Sequence, residues 1–456
     1  MEKVINTMRN GLILIFTGIL FYSFTTCAQE WEPIFNGKDL NGWILKGGGV
    51  DFEVVEGAIV GTALINTPST YLCTEKEYGD FILEFEVYLS NELNAGVQFR
   101  SAEADASGVF GYQCEIDPKK RKWTGGIYDQ GRRGWLYPLS RNEEARDAFQ
   151  MGRWNKFRIE AYGNLLNTYV NGTQCSRLVD DRSSKGFIGL QVHSIGDRYK
   201  KEGYTVKWRN LKILTEGVEQ HLKLDPNVSE ISYLKNELTE WEKRNGFSLL
   251  WDGVSTEGWR GVNSEDFPAL GWKIHEGVLT VLADKASSKG EHIVTTDKFG
   301  NFELELDFNI TKGANSGIRY FVNEELTVSA CEYQILDNEK HPDAGKGING
   351  NRRLAALYDL VAAEPLSLGV KKDPFKGVGK WNRARIVSKN GRVEHWLNNV
   401  KMVEYDRYSQ MFKALVLYSK YSGHKNFGQW DEGNIMLHDH HDEVSFRSIK
   451  IRELND

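Results

Sequence analysis

Polar and apolar positions alternate through the most strongly patterned segments of this chain. In Phe81-Ile82-Leu83-Glu84-Phe85-Glu86-Val87 and Phe302-Glu303-Leu304-Glu305-Leu306-Asp307-Phe308, apolar residues recur at every second position, the period of a half-buried strand. One stretch reads differently. From Ser229 to Asn245, Leu234, Leu238 and Trp241 fall at four- and three-residue spacing, Ser229-Glu230 can cap, and Gly246 can terminate, which predicts a helix over that span. With 45 Gly against 9 Pro, the rest suits short strands joined by glycine turns.

The strand patterns come twice, in the same order. Ile34-Phe35-Asn36-Gly37 leading to Gly42-Trp43 recurs as Leu250-Trp251-Asp252-Gly253 leading to Gly258-Trp259. Tyr78-Gly79-Asp80-Phe81 recurs as Phe299-Gly300-Asn301-Phe302, Asn94-Ala95-Gly96-Val97 as Asn315-Ser316-Gly317-Ile318, and Gly152-Arg153-Trp154-Asn155 as Gly379-Lys380-Trp381-Asn382. Gly186-Phe187-Ile188 before His193 matches Gly433-Asn434-Ile435 before His440. Such an ordered series marks an internal duplication. Each copy of roughly 200 residues is large for one sheet and fits a β-sandwich, so the expected class is all-β. The expected organisation is a leader over 1–28, a first unit over 29–216, a helical linker over 217–246 and a second unit over 247–456. Equivalent positions lie 216 residues apart at Trp43/Trp259 and 247 apart at His193/His440. Most of the late increase is an aromatic-rich insertion between Tyr408 and Trp430, which either shapes a site beside His440 or decorates the surface.

Residues 1–28 look like an export leader: Lys3 and Arg9, an apolar run from Gly11 to Phe24, then Thr26-Cys27-Ala28. Cleavage after Ala28 would give a soluble exported protein. Lipidation at Cys27 is the alternative, and a retained anchor helix is the third reading. The remaining cysteines, Cys73, Cys114, Cys175 and Cys331, are split three and one between the copies, so buried free thiols are expected. A net charge of -6 supplies no basic excess for nucleic acid.

Alternation also sorts polar groups onto faces. Gln113 and Glu115 share one side of their strand, and Glu332 and Gln334 share the equivalent side, with acid and amide exchanged. By the same rule Gln98 pairs with Arg100, Gln191 with His193, and His438 with His440, while Arg319 marks the second copy. Tyr128-Asp129 with Arg132 has its counterpart in Tyr358-Asp359 with Arg353. Carboxylate, amide, guanidinium and imidazole groups on one side suit a polar ligand or a stabilised oxyanion, against the alternative of a wet sheet face. His438 and His440 could share a divalent ion, but no third ligand is identifiable, so no cofactor is expected. There is no Walker loop, His-Glu-x-x-His helix or nucleophile-elbow serine.

Taken together, Phe35-Asn36-Gly37, Asn94-Ala95-Gly96, Gly126-Ile127-Tyr128, Leu238-Thr239-Glu240-Trp241, Glu332-Tyr333-Gln334-Ile335 and the Leu437 to His440 ending resemble the 3-keto-disaccharide hydrolase family. The resemblance spans both copies. It implies two concanavalin A-like jelly-roll sandwiches and a carbohydrate substrate oxidised at the sugar C3. Eliminating the glycosidic oxygen from such a sugar needs a base, oxyanion donors and an acid, and the candidates on this face are His440 or Glu332 as base, Arg319 and Arg353 as donors, and Tyr358 as acid. The first-copy counterparts are His193, Glu115, Arg100, Arg132 and Tyr128. Gln334, Asn315, His438, Asp359, Gln113, Gln98, Gln191 and Asp129 are the expected binding groups, joined by Arg100. The first copy departs from the family's Glu-x-Gln order with Gln113-x-Glu115. The rival reading is a tandem, non-catalytic carbohydrate-binding protein, because jelly rolls serve lectins and enzymes alike.

Overall fold

A computed structural model describes residues 31–104, 108–283, 291–323, 329–424 and 426–455. The expected leader over residues 1–28, with Cys27, lies outside the described residues. Each copy is two mainly antiparallel sheets packed face to face. In the first copy the back sheet is centred on Phe81–Leu89, flanked by Trp154–Tyr162 and Thr205–Leu214. The front sheet runs in the order Gly134–Tyr137, Ile127–Gln130, Gly108–Ile116, Ala95–Ala104, Gly186–Val192, Thr70–Tyr78, Trp43–Gly47. The second copy repeats the front sheet as Cys331–Leu336, Asn315–Val322, Asn434–Leu437, Ile293–Thr295 and Trp259–Gly261. The fold is all-β, two tandem jelly-roll sandwiches.

The alternation explains the layers. Leu83, Phe85 and Val87 from the back sheet meet Val97, Phe99, Cys114, Ile116 and Leu190 from the front sheet in a buried core. Ile318, Tyr320, Tyr333, Ile335 and Leu437 do the same in the second copy. At about 1.5–3 kcal/mol for each large apolar side chain buried, this register fixes which residues face outward. Cys73, Cys114, Cys175 and Cys331 are buried free thiols. No helix among the described residues is long and apolar enough to cross a membrane.

Two expectations are corrected. The helix between the copies covers only Glu240–Arg244, capped by Thr239 in a reciprocal capping box with Glu242. Upstream, Ile231–Ser232 instead adds as a parallel strand to Thr173–Val179, and Asn236 takes a left-handed φ of 54° that no helix interior accepts. Arg100, expected beside Gln98, leaves that face. A bulge after Phe99 puts Arg100 at φ 45°, and its guanidinium caps the Gly79 and Gly163 carbonyls and pairs with Asp80. The equivalent bulge residue in the second copy is Phe321, at φ 58°.

The copies are bound to each other through the polar side of the second back sheet. Arg141 of the first copy reaches Glu305 at 3.2 Å, Ser140 donates to the Asn399 carbonyl at 2.6 Å, and Asn399 donates back to the Leu136 carbonyl at 3.1 Å. Glu242 of the linker helix pairs with the buried Lys450.

Candidate functional site

The strand register superposes the two outward faces residue by residue. Arg319 lies opposite Glu332, as Gln98 lies opposite Gln113. Gly317 lies opposite Gln334, as Gly96 lies opposite Glu115. Leu437 and Leu190 hold equivalent pairings, which aligns His438 with Gln191 and His440 with His193. Trp259 opposite Thr295 and Trp43 opposite Thr74 align His292 with Tyr71. At four equivalent places, therefore, the second copy carries Glu332, Arg319, His438 and His292 where the first carries Gln113, Gln98, Gln191 and Tyr71.

In the second copy these groups touch. Arg319 Nε donates to Glu332 Oε2 at 3.2 Å, and His438 Nδ1 lies 3.5 Å from Glu332 Oε1. His438 Nδ1 is also 3.1 Å from His440 Nε2, and the His292 ring stacks on His438 with centroids 4.7 Å apart. The backbone N–H of Asp439 donates to His292 Nδ1 at 3.1 Å, which leaves that ring's proton on Nε2. Gly317 makes the room, since a Cβ there would come within 2.5 Å of Glu332 Oε1. Burial, reinforced by neighbouring cations, holds His438 well below the ordinary imidazole value and His292 down to about 4. His440 opens to solvent, yet the protein around it also lowers its pKa, with Glu332 opposing. The imidazoles are thus neutral near pH 7, as a base must be.

The insertion between Tyr408 and Trp430 closes this face. Its helix, Gln410–Leu417, is capped by Ser409 and anchored by Phe412, which stacks on Tyr405 and Phe427. Phe427 stacks in turn on Tyr421 at 4.2 Å. The chain then presents Lys420 4.1 Å above the Tyr358 ring, and burial lowers the Lys420 pKa against the opposing pull of Glu332. Tyr421 Oη is buried with no hydrogen-bond partner, and burial raises its pKa, with Glu332 adding to the rise and Arg319 opposing it.

The remaining expected residues fall in different places. Gln334 donates to Asn315 at 2.9 Å on the same face, mirroring Asn94 donating to Glu115 at 2.6 Å. Tyr358 Oη donates to Asp343 at 2.6 Å, and Asp359 accepts from Arg352 at 2.5 Å and from the Lys420 backbone at 2.8 Å. Arg353 bonds the Ala344 carbonyl at 3.4 Å, and it is Arg352 that covers the Tyr358 ring. In the first copy Gln98 donates to Gln113 at 2.5 Å and Gln113 to Glu115 at 2.7 Å, while Gln191 donates to Tyr71. Asp129 is buried between Arg132 and Arg133, and Arg132 also bonds Ser183. Tyr128 and His193 line a separate cavity. His292, Arg352, Lys420 and Tyr421 were missed in the sequence. The widened spacing between copies pointed toward the last two, and matching Tyr71 to its counterpart would have found His292.

A 3-keto-alpha-glucoside-1,2-lyase-like domain matches residues 30–214 and again 246–452. The chain belongs to that family. A 3-keto-disaccharide hydrolase of Bacteroides thetaiotaomicron is 33% identical over 238 residues, which is 46% of this chain and 79% of that protein. A crystal structure from Parabacteroides distasonis, carrying a provisional glycosyl hydrolase assignment, is 28% identical. It covers 49% of this chain and 100% of its own, with a TM-score of 0.43.

Proposed function

We propose that this chain is a glycoside-cleaving enzyme of its family whose working site is the second copy, and that it acts on 3-keto-glycosides. One observation carries the reading. Glu332, Arg319, His438, His440 and the unpartnered Tyr421 hydroxyl converge on one sheet face, whereas the first copy has glutamine in place of the first three.

A ketone at C3 acidifies the C2 proton and leaves the glycosidic oxygen β to the carbanion. His440, neutral and open to solvent, takes the C2 proton. The electron pair moves into an enolate whose oxygen is met by Arg319 and Lys420. Glu332 holds Arg319 and the His438–His440 pair in register. Collapse of the enolate breaks the C1–O bond, and Tyr421 gives its proton to the departing oxygen. Tyr358 is a poorer donor because its proton is committed to Asp343. Water adding across the enone at C1 and C2 completes a net hydrolysis. No step runs through a metal, so a chelator leaves turnover unchanged. The exported location follows from the leader reading and is checked by the N-terminal mass of the mature chain, which also separates cleavage after Ala28 from lipidation at Cys27.

The test is incubation of the mature protein with 3-keto-trehalose and with trehalose in deuterated water. Sugar release and deuterium at C2 are expected from the keto sugar alone. Release from both at equal rates, or none from either, overturns the reading, and accumulation of the enone would make the enzyme a lyase.

A further inference from the structure

A cavity of about 610 Å³ lies over the front face of the first copy, with walls from both copies. Gln113, Glu115 and His193 belong to its floor, Tyr128 and Trp135 to one wall, and residues 369–376 of the second copy roof it. The roof is built in. Gly369, at φ +74°, lies so close to the first copy that a Cβ would come within 2.6 Å of the Arg121 backbone nitrogen. Asn398 donates to the Pro374 carbonyl at 2.9 Å, and the Lys376 N–H donates to Asn382 at 2.9 Å.

The charge of this cavity differs from that of the second-copy site. Lys119, Lys371, Lys372 and Lys376 line it; the first three are exposed and form no ion pair among the described residues, whereas Lys376 is half-buried, with Asp307 and Asp129 opposing the fall that burial causes in its pKa. The two arginines in its walls are already neutralised: Arg121 by Asp117, and Arg133 by Asp129 and Asp180. Its acids are Glu115, engaged by Asn94 and Gln113, and the exposed Asp373. Three exposed ammonium groups, Lys119, Lys371 and Lys372, around a concave space concentrate a field that draws an anion. The half-buried Trp135 and Tyr128, edge to face at 5.3 Å, add an apolar wall for a ring. Gln113, standing where the second copy has Glu332, gives the floor an amide in place of a carboxylate paired with arginine.

We infer that this two-copy cavity binds an acidic saccharide, its anionic group held by the lysines of the roof and its sugar ring laid against Trp135 and Tyr128. The inference stands independently of whether the second copy cleaves 3-keto-glycosides. The first copy is then a recognition module completed by the second, and separating the copies removes the site.

Isothermal titration of the mature full-length chain tests this with three probes of matched length: oligogalacturonate, sulfated dextran oligosaccharide and neutral dextran oligosaccharide. At least one acidic probe is expected to bind at least tenfold more tightly than the neutral one, and to weaken as salt is raised. Binding of only one identifies the anionic group as carboxylate or sulfate. The exposed double variant Lys371→Ala/Lys372→Ala weakens that binding about fivefold or more, while Lys38→Ala/Lys298→Ala, with equal charge loss elsewhere, leaves it unchanged. Absence of binding to both acidic probes, equal binding of the neutral probe, or equal weakening by the two double variants overturns the inference.

Discussion

Arg319 donates to Glu332 at 3.2 Å across two adjacent strands, and the same register in the first copy holds Gln98 and Gln113. An ion pair in one copy and an amide pair in the other occupy matching ground. The duplication has thus kept a sheet while dividing its chemistry.

That equivalence makes Glu332→Gln a mild structural change, because the first copy already accommodates glutamine there beside a glycine, Gly96. Turnover of a 3-keto-disaccharide is expected to fall about 10²–10⁴-fold with the melting midpoint nearly unmoved. Wild-type turnover by Glu332→Gln would return the chemistry to the first copy.

His440→Ala and His193→Ala separate the copies directly. The first should abolish deuterium incorporation at C2 and lower kcat about 10²–10⁴-fold, and the second should leave both near wild type. Exchange assays by mass spectrometry read the difference.

Tyr421→Phe removes a buried hydroxyl that has no partner, so stability is expected to hold or rise slightly. Activity should drop about 10–100-fold on a disaccharide and much less on a 3-keto-glycoside with a nitrophenol leaving group, which needs no proton to depart. Equal losses on both substrates would remove Tyr421 from the acid role.

Stability should depend on pH through buried imidazoles. Burial lowers His395 to about 4, so between pH 6.5 and 4 the unfolded chain binds a proton that the folded chain refuses. The contribution is full above pH 6.5 and lost as pH falls toward 4, about 3 kcal/mol from His395 alone. His292 acts in the same direction. Urea midpoints at pH 7 and 4.5 should differ accordingly, and His395→Gln should narrow that difference while lowering the pH 7 value.

Lys450 is buried against Glu242 of the linker helix and lies 3.4 Å from Glu305. Lys450→Met leaves two buried carboxylates facing each other, at a cost of about 3–5 kcal/mol in denaturant unfolding. Lys450→Arg should recover part of it.

Much of this molecule was legible in the chain. The alternation in Phe81–Leu89 and Phe302–Ile310 reports a two-residue period that any half-buried strand must show, and the ordered repeats report a second copy regardless of fold. Glu332, Gln334, His438 and His440 were legible as one face because strand geometry alone puts alternate residues together. Arg100 was not. A single left-handed residue in a bulge turns the alternation, and nothing local in Phe99-Arg100-Ser101 announces it. The linker misled for a related reason: apolar spacing at Leu234, Leu238 and Trp241 is satisfied by packing in an extended chain as well as in a helix.

The sequence by itself determined the strand class, the duplication and the polar face, since each depends only on short-range periodicity or on self-similarity. The tertiary structure alone decided which polar groups meet. It brought His292 against His438 and the Lys420–Tyr421 insertion near Glu332, and it laid residues 369–376 of the second copy over the first. Those pairings join residues from about 90 to nearly 250 positions apart in the chain, and only the packing of one sheet against another element sets their distance.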